Sequence, residues 1–215
     1  MRKNFILFDN DGVLVDTEYW YYKATQRALG ELGVTLTRDE YMKIMIRGQS
    51  SWELARAQGI EEAAIQQKEA DRNQYYKKFL LTKNIGIPGV AETLKKLSRY
   101  YRMAIITTCH KTDFDVIHRN RSLISFMEFI LVREDYEKSK PHPEPYLAGL
   151  QRFGAKANEA LVVEDSERGL NAALAACIDC VIVHNEFTES HDFTGAIHTI
   201  QSLSELPNLL SHRSD

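Results

Sequence analysis

Short runs of consecutive apolar residues recur along this chain, and they do not alternate with polar residues as half-exposed strands do. Segments with helical spacing of apolar residues separate most of these runs. Strands that are apolar on both faces are typical of a parallel sheet covered by helices on both sides. The sequence therefore predicts an α/β fold with a Rossmann-like parallel sheet. The predicted strands are FILF (5–8), MAIIT (103–107), FILV (129–132), ALVVE (160–164), CVIVH (180–184) and AIHTI (196–200).

The first interval interrupts this alternation, because no strand pattern occurs between residues 8 and 103. The interval has the pattern of helices instead, with glycines as stops or turns. We expect an all-helical cap domain over residues 16–85, inserted into a core domain formed by residues 1–15 and 86–215. The predicted helices are 18–33, 38–46, 51–59 and 61–81, and the punctuating glycines are Gly33, Gly48 and Gly59.

Composition excludes some classes of function. The 215 residues carry a net charge of −3 and no long basic block, which argues against binding to nucleic acid or a membrane surface. No apolar stretch approaches the roughly 18 residues of a membrane span. The N-terminal MRKNFILF becomes acidic too soon for a signal peptide, so a cytoplasmic location is expected. We expect a monomer whose partner is a small molecule.

Three cysteines, an odd number without a regular framework, suit a reducing compartment. Cys177 and Cys180 form a C-x-x-C pair, which by itself supplies only half of a zinc site. Cys180 also begins the apolar run CVIV. We therefore interpret both cysteines as small, buried apolar residues.

Polar residues gather where the predicted strands end. In open parallel sheets, ligands bind at the carboxyl ends of the strands. Carboxylates, hydroxyls and a lysine arriving at that edge from separate parts of the chain are typical of a catalytic site. The segments are Asp9-Asn10-Asp11-Gly12 at the first strand, Thr107-Thr108 at the second, Glu164-Asp165 at the fourth, and Lys140 before the proline-rich turn in SKPHPEP.

Several carboxylates close together repel one another, and burial raises that cost. A hard cation such as Mg²⁺ removes the repulsion and prefers carboxylate and phosphate oxygens, which Asp9 and Asp165 can help to supply. Asp9 can then attack phosphorus and form an aspartyl-phosphate, with Asp11 as general acid and later as general base. Lys140 and Thr107 can hold the transferring oxygens.

Four segments resemble, in order and spacing, the four motifs of the haloacid dehalogenase (HAD) superfamily: DNDGVLVDTE, IITT, SKPHPEPY and VVEDSERGLNAA. The resemblance covers essentially the whole chain. The predicted helical insert is similar to the small helical cap of this family. The segment NEFTESHDFTGA also resembles the C-terminal part of its phosphatase-like members.

The resemblance implies a role for each matching residue. Asp9 would be the nucleophile and Asp11 the acid/base. The Mg²⁺ ligands would be Asp9, Asp165 and the backbone carbonyl of Asp11, with Glu164 in or near the metal shell. Thr107 and Lys140 would bind the phosphate. A structural bond from Glu164 to the backbone would explain that residue equally well.

Two departures from the family pattern stand out. The position of Cys177 is commonly glycine in the family, so the turn there is expected to differ. Asn10 is more polar than the apolar residue usually found between the two aspartates. Neither departure removes a catalytic group.

Further residues are candidates for substrate binding: Thr108, Arg47, Gly48 and His110. Arg47 offers a planar guanidinium to a second anionic group, and Gly48 allows close approach of the backbone. Arg47 is also compatible with a solvated cap charge. His110 is compatible with either a leaving-group contact or a surface position.

Within the superfamily, Asp11 and Asp165 argue against the dehalogenase and phosphonatase branches. The β-phosphoglucomutase branch is expected to have a histidine shortly after the first motif and an arginine in the cap loop. Tyr21 and Ser51 occupy those places. We therefore expect a magnesium-dependent phosphatase acting on a small phosphorylated metabolite, such as a sugar phosphate or a phosphoglycolate-like compound. The alternatives are a phosphosugar mutase and, last, an inactive binding module.

Overall fold

The chain forms two compact units in the computed structural model, which describes residues 3–47 and 49–211. One unit comprises Met1–Asp16 with Gly86–Asp215, and the other comprises Thr17–Ile85. The chain leaves the first unit after Asp16 and returns to it at Gly86. Within the first unit, Val15 pairs with Gly86 in an isolated antiparallel bridge, so these two points of the chain are adjacent.

The unit Thr17–Ile85 is helical. Its helices are α1 (Glu18–Gly30), α2 (Arg38–Ile46), α3 (Glu53–Ala57) and α4 (Glu62–Thr82). Helix α1 packs along α4, and edge-to-face contact between Tyr21 and Tyr76 joins them, with ring centroids 5.2 Å apart. A capping box of Thr37 and Glu40 begins α2. Gly33 and Gly59 take left-handed φ values of 77° and 74°, which suits the predicted turns.

A six-stranded sheet forms the centre of the other unit. Its order is β3-β2-β1-β4-β5-β6, and every neighbouring pair is parallel. The predicted parallel sheet is therefore confirmed. The strands are β1 (Phe5–Phe8), β2 (Arg102–Ile106), β3 (Phe129–Leu131), β4 (Ala160–Glu164), β5 (Asp179–Val183) and β6 (His198–Ile200).

Helices surround this sheet and cover its apolar strands. They are α5 (Val90–Leu97), α6 (Lys111–His118), α7 (Glu144–Phe153), α8 (Glu167–Ala175) and α9 (Leu206–Ser211). All four residues of β1 are buried, since β1 lies in the interior of the sheet between β2 and β4 and helices such as α7 pack against it. One core cluster joins Leu7 of β1, Ile106 of β2 and Leu150 of α7. Among the described residues, no helix is both long enough and apolar enough to cross a membrane.

The interpretation of Cys177 as a buried residue was wrong. Cys177 is exposed and follows α8 with a φ of 58°, whereas Cys180 is buried within β5. The backbone N–H of Ile178 donates to the carbonyl of Ala173 across this turn, which is the closing bond of a Schellman motif. The helix therefore ends in the left-handed conformation that glycine usually provides, here adopted by Cys177.

Candidate active site

The candidate site lies at the carboxyl edge of the sheet. In a sheet of this order, the connections on the two sides of β1 and β4 run in opposite directions, which opens a crevice at that edge. Asp9 directly follows β1, Thr107 directly follows β2, and Asp165 directly follows β4. The fold thus brings together residues that are far apart in the sequence.

Three carboxylates form the centre of the site. Asp9, Glu164 and Asp165 each present an oxygen, and these oxygens all lie within 4.8 Å of one another. All three residues are buried, with exposed fractions of 8%, 1% and 8%. Hard oxygen donors of this kind fit Mg²⁺, which prefers carboxylates and seldom takes thiolate ligands.

Lys140 neutralises part of this charge. Its Nζ donates to Asp9 Oδ1 at 2.5 Å, to Glu164 Oε1 at 2.7 Å and to the carbonyl of Ile106 at 2.8 Å. Burial disfavours the charged ammonium, but the carboxylates of Asp9 and Glu164 outweigh burial and raise the pKa of Lys140. Lys140 is therefore a fixed cation beside Asp9.

The pKa of Asp9 is raised to about 7. The largest cause is burial, and the charges of Glu164 and Asp11 add to it, while Lys140 acts in the opposite direction. A second cation near Asp9 would lower this pKa again, because a cation favours the ionised form of the carboxyl group. Strong perturbation of this kind is frequent at functional sites.

Glu164 is held by five donors. Its Oε1 accepts from Lys140 and from the hydroxyl of Tyr146 at 2.7 Å each. Its Oε2 accepts from the backbone N–H groups of Asp165 and Ser166 and from the Ser166 hydroxyl. A Cβ at Gly169 would meet this carboxylate at 1.8 Å, so glycine is needed for the close approach. These bonds favour a role for Glu164 in holding Lys140.

Asp11 lies two residues beyond Asp9 and is partly buried. Its Oδ2 accepts from Asn10 Nδ2 at 3.2 Å and from Thr107 Oγ1 at 3.4 Å. Thr107 Oγ1 in turn accepts from the backbone N–H of Cys109 at 3.0 Å. This hydrogen bond between Thr107 and Asp11 thus connects the loop after β2 to the loop after β1. Thr108 follows in the same loop and is half-buried.

One residue at the site was missed by the sequence analysis. Asn185, two residues beyond β5, donates from Nδ2 to Asp165 Oδ2 at 2.9 Å. Gly12, in the loop after β1, places its backbone against the side chains of Asp165 and Asn185. The φ of Gly12 is 81°. The position of Asn185 after a strand end is the signal that could have identified it.

Replacing Gly12 with Ala is expected to displace Asp165. An added Cβ would lie 1.9 Å from Asp165 Oδ2 and 2.6 Å from Asn185 Nδ2, and the left-handed backbone adds strain. We expect thermal unfolding to show a loss of about 1–3 kcal/mol, and Mg²⁺ titration to show affinity about tenfold weaker or worse. Gly154→Ala is the matched control, because its φ is 66° but no atom lies within 4 Å of the added Cβ. Equal effects of both substitutions on Mg²⁺ affinity would contradict the steric argument.

The remaining predicted residues are not brought into this cluster by any described contact. His110 is exposed, and its Nδ1 lies 2.9 Å from Glu134 Oε1 at the surface. Arg47 is exposed at the end of α2 in the helical unit. Gly48 lies outside the described residues. Substrate binding by these three residues stays a prediction.

Comparison with known proteins supports the same conclusion as the geometry. Residues 6–183 match the family model described as haloacid dehalogenase-like hydrolase. The chain belongs to the haloacid dehalogenase-like hydrolases. The predicted family and the predicted hydrolase activity are therefore confirmed.

Individual relatives of this HAD hydrolase differ in length and name. It is 30% identical over 188 residues to the phosphorylated carbohydrates phosphatase of Thermotoga maritima, covering 84% of this chain and 85% of the relative. It is 25% identical to the chloroplastic protein SUPPRESSOR OF QUENCHING 1 of Arabidopsis thaliana, covering 86% of this chain but only 18% of that longer protein. The crystal structure of a putative beta-phosphoglucomutase from Thermotoga maritima superposes with a TM-score of 0.78 at 26% identity, covering 98% of this chain and 99% of that one.

Proposed function

We propose that this HAD hydrolase is a magnesium-dependent phosphatase that hydrolyses a small phosphorylated metabolite through an aspartyl-phosphate on Asp9. The observation on which the proposal depends is the environment of Asp9. Lys140 Nζ lies 2.5 Å from its Oδ1, and the carboxylates of Glu164 and Asp165 lie beside it. Asp11 is two residues away and bound to Thr107.

In the first half-reaction, a carboxylate oxygen of Asp9 attacks phosphorus and the bond from phosphorus to the ester oxygen breaks. Asp11 gives its proton to the departing oxygen, so the product leaves as an alcohol. In the second half-reaction, Asp11 takes a proton from water as that water attacks phosphorus. The bond from phosphorus to Asp9 breaks, which releases inorganic phosphate and regenerates the free carboxylate of Asp9.

The other residues of the site hold charge and orient the phosphoryl group. Asp9, Asp165 and the backbone carbonyl of Asp11 would hold Mg²⁺, with Glu164 in or near the same shell. When bound, Mg²⁺ supplies positive charge that offsets the phosphoryl oxygens and the cluster of carboxylates. Lys140, Thr107 and Thr108 supply further donors to the phosphoryl oxygens.

A phosphatase is favoured over a mutase. The relative at 30% identity is named as a phosphatase of phosphorylated carbohydrates, which supports a sugar phosphate as substrate. Tyr21 stands where a mutase would need a histidine, and its ring packs against Tyr76. The guanidinium carbon of Arg72 lies over the same ring, 4.5 Å from the ring centroid. Ser51, at the place expected for a mutase arginine, is buried. The likeness to a putative beta-phosphoglucomutase keeps the mutase as the second candidate.

The decisive experiment incubates the purified protein and Mg²⁺ with a panel of sugar phosphates and phosphoglycolate, and measures inorganic phosphate. We expect release of phosphate from one or more members. β-Glucose 1-phosphate with a bisphosphate primer tests the mutase, with glucose 6-phosphate as the product measured. Rapid isomerisation without phosphate release would replace the phosphatase with the mutase.

We also propose that the helical unit Thr17–Ile85 acts as a cap that selects the substrate. Arg47→Ala is then expected to lower kcat/KM about tenfold for substrates with a second polar or anionic group, about 1.4 kcal/mol. p-Nitrophenyl phosphate, which lacks such a group, should be hydrolysed nearly as before. Equal loss with both kinds of substrate would indicate that Arg47 supports the fold instead. A cytoplasmic location and a monomeric state stay predictions.

A further inference from the structure

We propose that His118 is a positioning residue that acts through Asn10 to orient the carboxylate of Asp11. The inference rests on the proposed phosphatase mechanism, in which Asp11 transfers the proton. It concerns a buried histidine at the end of α6 that has no part in that mechanism so far. We name the chain of contacts His118–Asn10–Asp11 the histidine relay.

The relay is buried at its first two members. His118 and Asn10 have exposed fractions of 4% and 0%. His118 Nε2 lies 2.8 Å from Asn10 Oδ1, although 108 positions of sequence separate the two residues. The ring of Phe114 packs against the His118 ring with centroids 4.4 Å apart, which holds the imidazole in place. Packing therefore fixes where the imidazole N–H is presented.

The protonation of His118 follows from its surroundings. Its Nδ1 is buried and has no hydrogen-bond partner within the part of the chain that the structure describes. Burial, and to a lesser degree the charge of Arg121, lowers the pKa of His118 to about 4. The NH₂ group of Asn10 donates to the carboxylate of Asp11, which leaves Asn10 Oδ1 facing His118 Nε2. A neutral ring with an unpartnered Nδ1 therefore carries its hydrogen on Nε2.

This tautomer stabilises the same orientation of the Asn10 amide. The Nε2–H group of His118 donates to Oδ1, which holds the amide NH₂ group toward Asp11. Asn10 Nδ2 then donates to Asp11 Oδ2 at 3.2 Å. The flipped amide would place its carbonyl oxygen against Asp11 Oδ2, which already accepts from Thr107, and two acceptors would repel.

Asp11 Oδ2 thus accepts hydrogen bonds from residues of two different loops. Asn10 belongs to the loop after β1, and Thr107, which donates at 3.4 Å, belongs to the loop after β2. Two donors on one oxygen restrict rotation of the carboxylate. General acid catalysis depends on such alignment, and it contributes typically 10²- to 10⁴-fold.

The effect of the relay should depend on the leaving group. Phenyl phosphate and p-nitrophenyl phosphate have similar shapes, but only the phenolate needs a proton as it departs, because phenol has a pKa of about 10, as tyrosine has. Attack by Asp9 is common to both substrates. A misaligned Asp11 therefore slows phenyl phosphate selectively.

The experiment compares kcat/KM for these two substrates, because this parameter reports the step in which the ester bond breaks. We expect His118→Leu to lower kcat/KM for phenyl phosphate by about tenfold or more and for p-nitrophenyl phosphate by no more than about threefold. His118→Gln should recover most of the loss, because its amide NH₂ can donate to Asn10 Oδ1. Asn10→Leu should show the same selectivity. His198→Leu, at an exposed position on β6, is the matched control.

A spectroscopic measurement tests the relay without turnover. The Nδ1 of His191 accepts from the backbone N–H of Glu167 at 3.2 Å, so the signal of that ring is assigned first, by its loss in His191→Gln. NMR of isotope-labelled histidine should then show a second ring that is protonated at Nε2, unprotonated at Nδ1 and neutral at pH 6, and His118→Gln should remove its signal. A proton on Nδ1 of that ring, or equal losses with both substrates in a folded His118→Leu protein, would overturn the relay alone. If the wild-type protein with Mg²⁺ hydrolyses neither phosphate ester nor any of the metabolite panel, the proposed function fails, and the catalytic role of the relay fails with it.

Discussion

Replacing Asp9 with Asn is expected to reduce kcat by at least about 1,000-fold, because loss of a nucleophile from a cooperating set of catalytic groups removes most of the rate enhancement. The amide has nearly the same shape but cannot form the acyl phosphate. The steady-state rate of phosphate release from the best substrate measures the effect. Acid-quenched wild-type enzyme should also retain radiolabelled phosphate in a form that hydroxylamine removes, whereas Asp9→Asn should retain none.

A measurement of stability distinguishes loss of the nucleophile from loss of the fold. Because burial raises the pKa of Asp9 to about 7, the folded protein in a chelator binds a proton more tightly than the unfolded chain. Its free energy of unfolding therefore falls as pH rises between about 4 and 7. Asn cannot ionise, so the Tm of Asp9→Asn at pH 8 should not lie below that of the wild type. Asp115→Asn, at an exposed position of α6, is the control, and activity of Asp9→Asn within tenfold of wild type would refute the nucleophile.

Removal of divalent cations is expected to stop turnover, and added Mg²⁺ should restore it. The reason is the excess of negative charge, because the three buried carboxylates of Asp9, Glu164 and Asp165 face Lys140, the one buried cation among residues 3–47 and 49–211. A phosphate group would add further negative charge to the same place. Binding of Mg²⁺ should also stabilise the folded protein by about 2.7 kcal/mol at a concentration 100 times its Kd, which thermal unfolding can detect.

Asp165→Asn provides the matching variant for the metal. It should lose most of the activity and most of the Mg²⁺-induced rise in Tm, while the exposed Asp192→Asn should keep both. Zn²⁺ is not expected to substitute efficiently, because the cluster offers carboxylates and no thiolate or imidazole. Full activity in excess chelator would be incompatible with the proposed site.

The strands could be predicted because each is a run of side chains buried on both faces of the sheet. The errors are of one or two residues at the strand ends. Two strands begin one residue earlier than predicted, because Arg102 and Asp179 pair through their backbones with β1 and β4 although their side chains are exposed. Pairing of the backbone leaves no trace in the apolar pattern at such positions. Helix α6 has no clear start signal in the sequence, because it is short and its N-cap residue, His110, makes no side-chain cap hydrogen bond.

The site could be predicted where its residues follow strands directly, because the carboxyl ends of parallel strands meet at one edge. Asn185 obeys the same rule and could have been found in this way. Other contacts depend on packing between distant helices and loops, such as the bond from the Tyr136 hydroxyl to the carbonyl of Thr107 at 2.7 Å. His118 is of this kind too, since its bond to Asn10 exists only once α6 is packed in place. No local pattern in the sequence reports such contacts.

The bridge between Val15 and Gly86 has a consequence for the history of the gene. Both ends of the helical unit are anchored at one paired position of the α/β unit, so the DNA between these two codons can be exchanged as a block. Recombination with breakpoints there would leave the register of β1 and β2 intact. Point mutations within the block accumulate without changing the order of the strands. Such an exchange would leave the codons of Asp9, Glu164 and Asp165 in place, because all three lie outside the block.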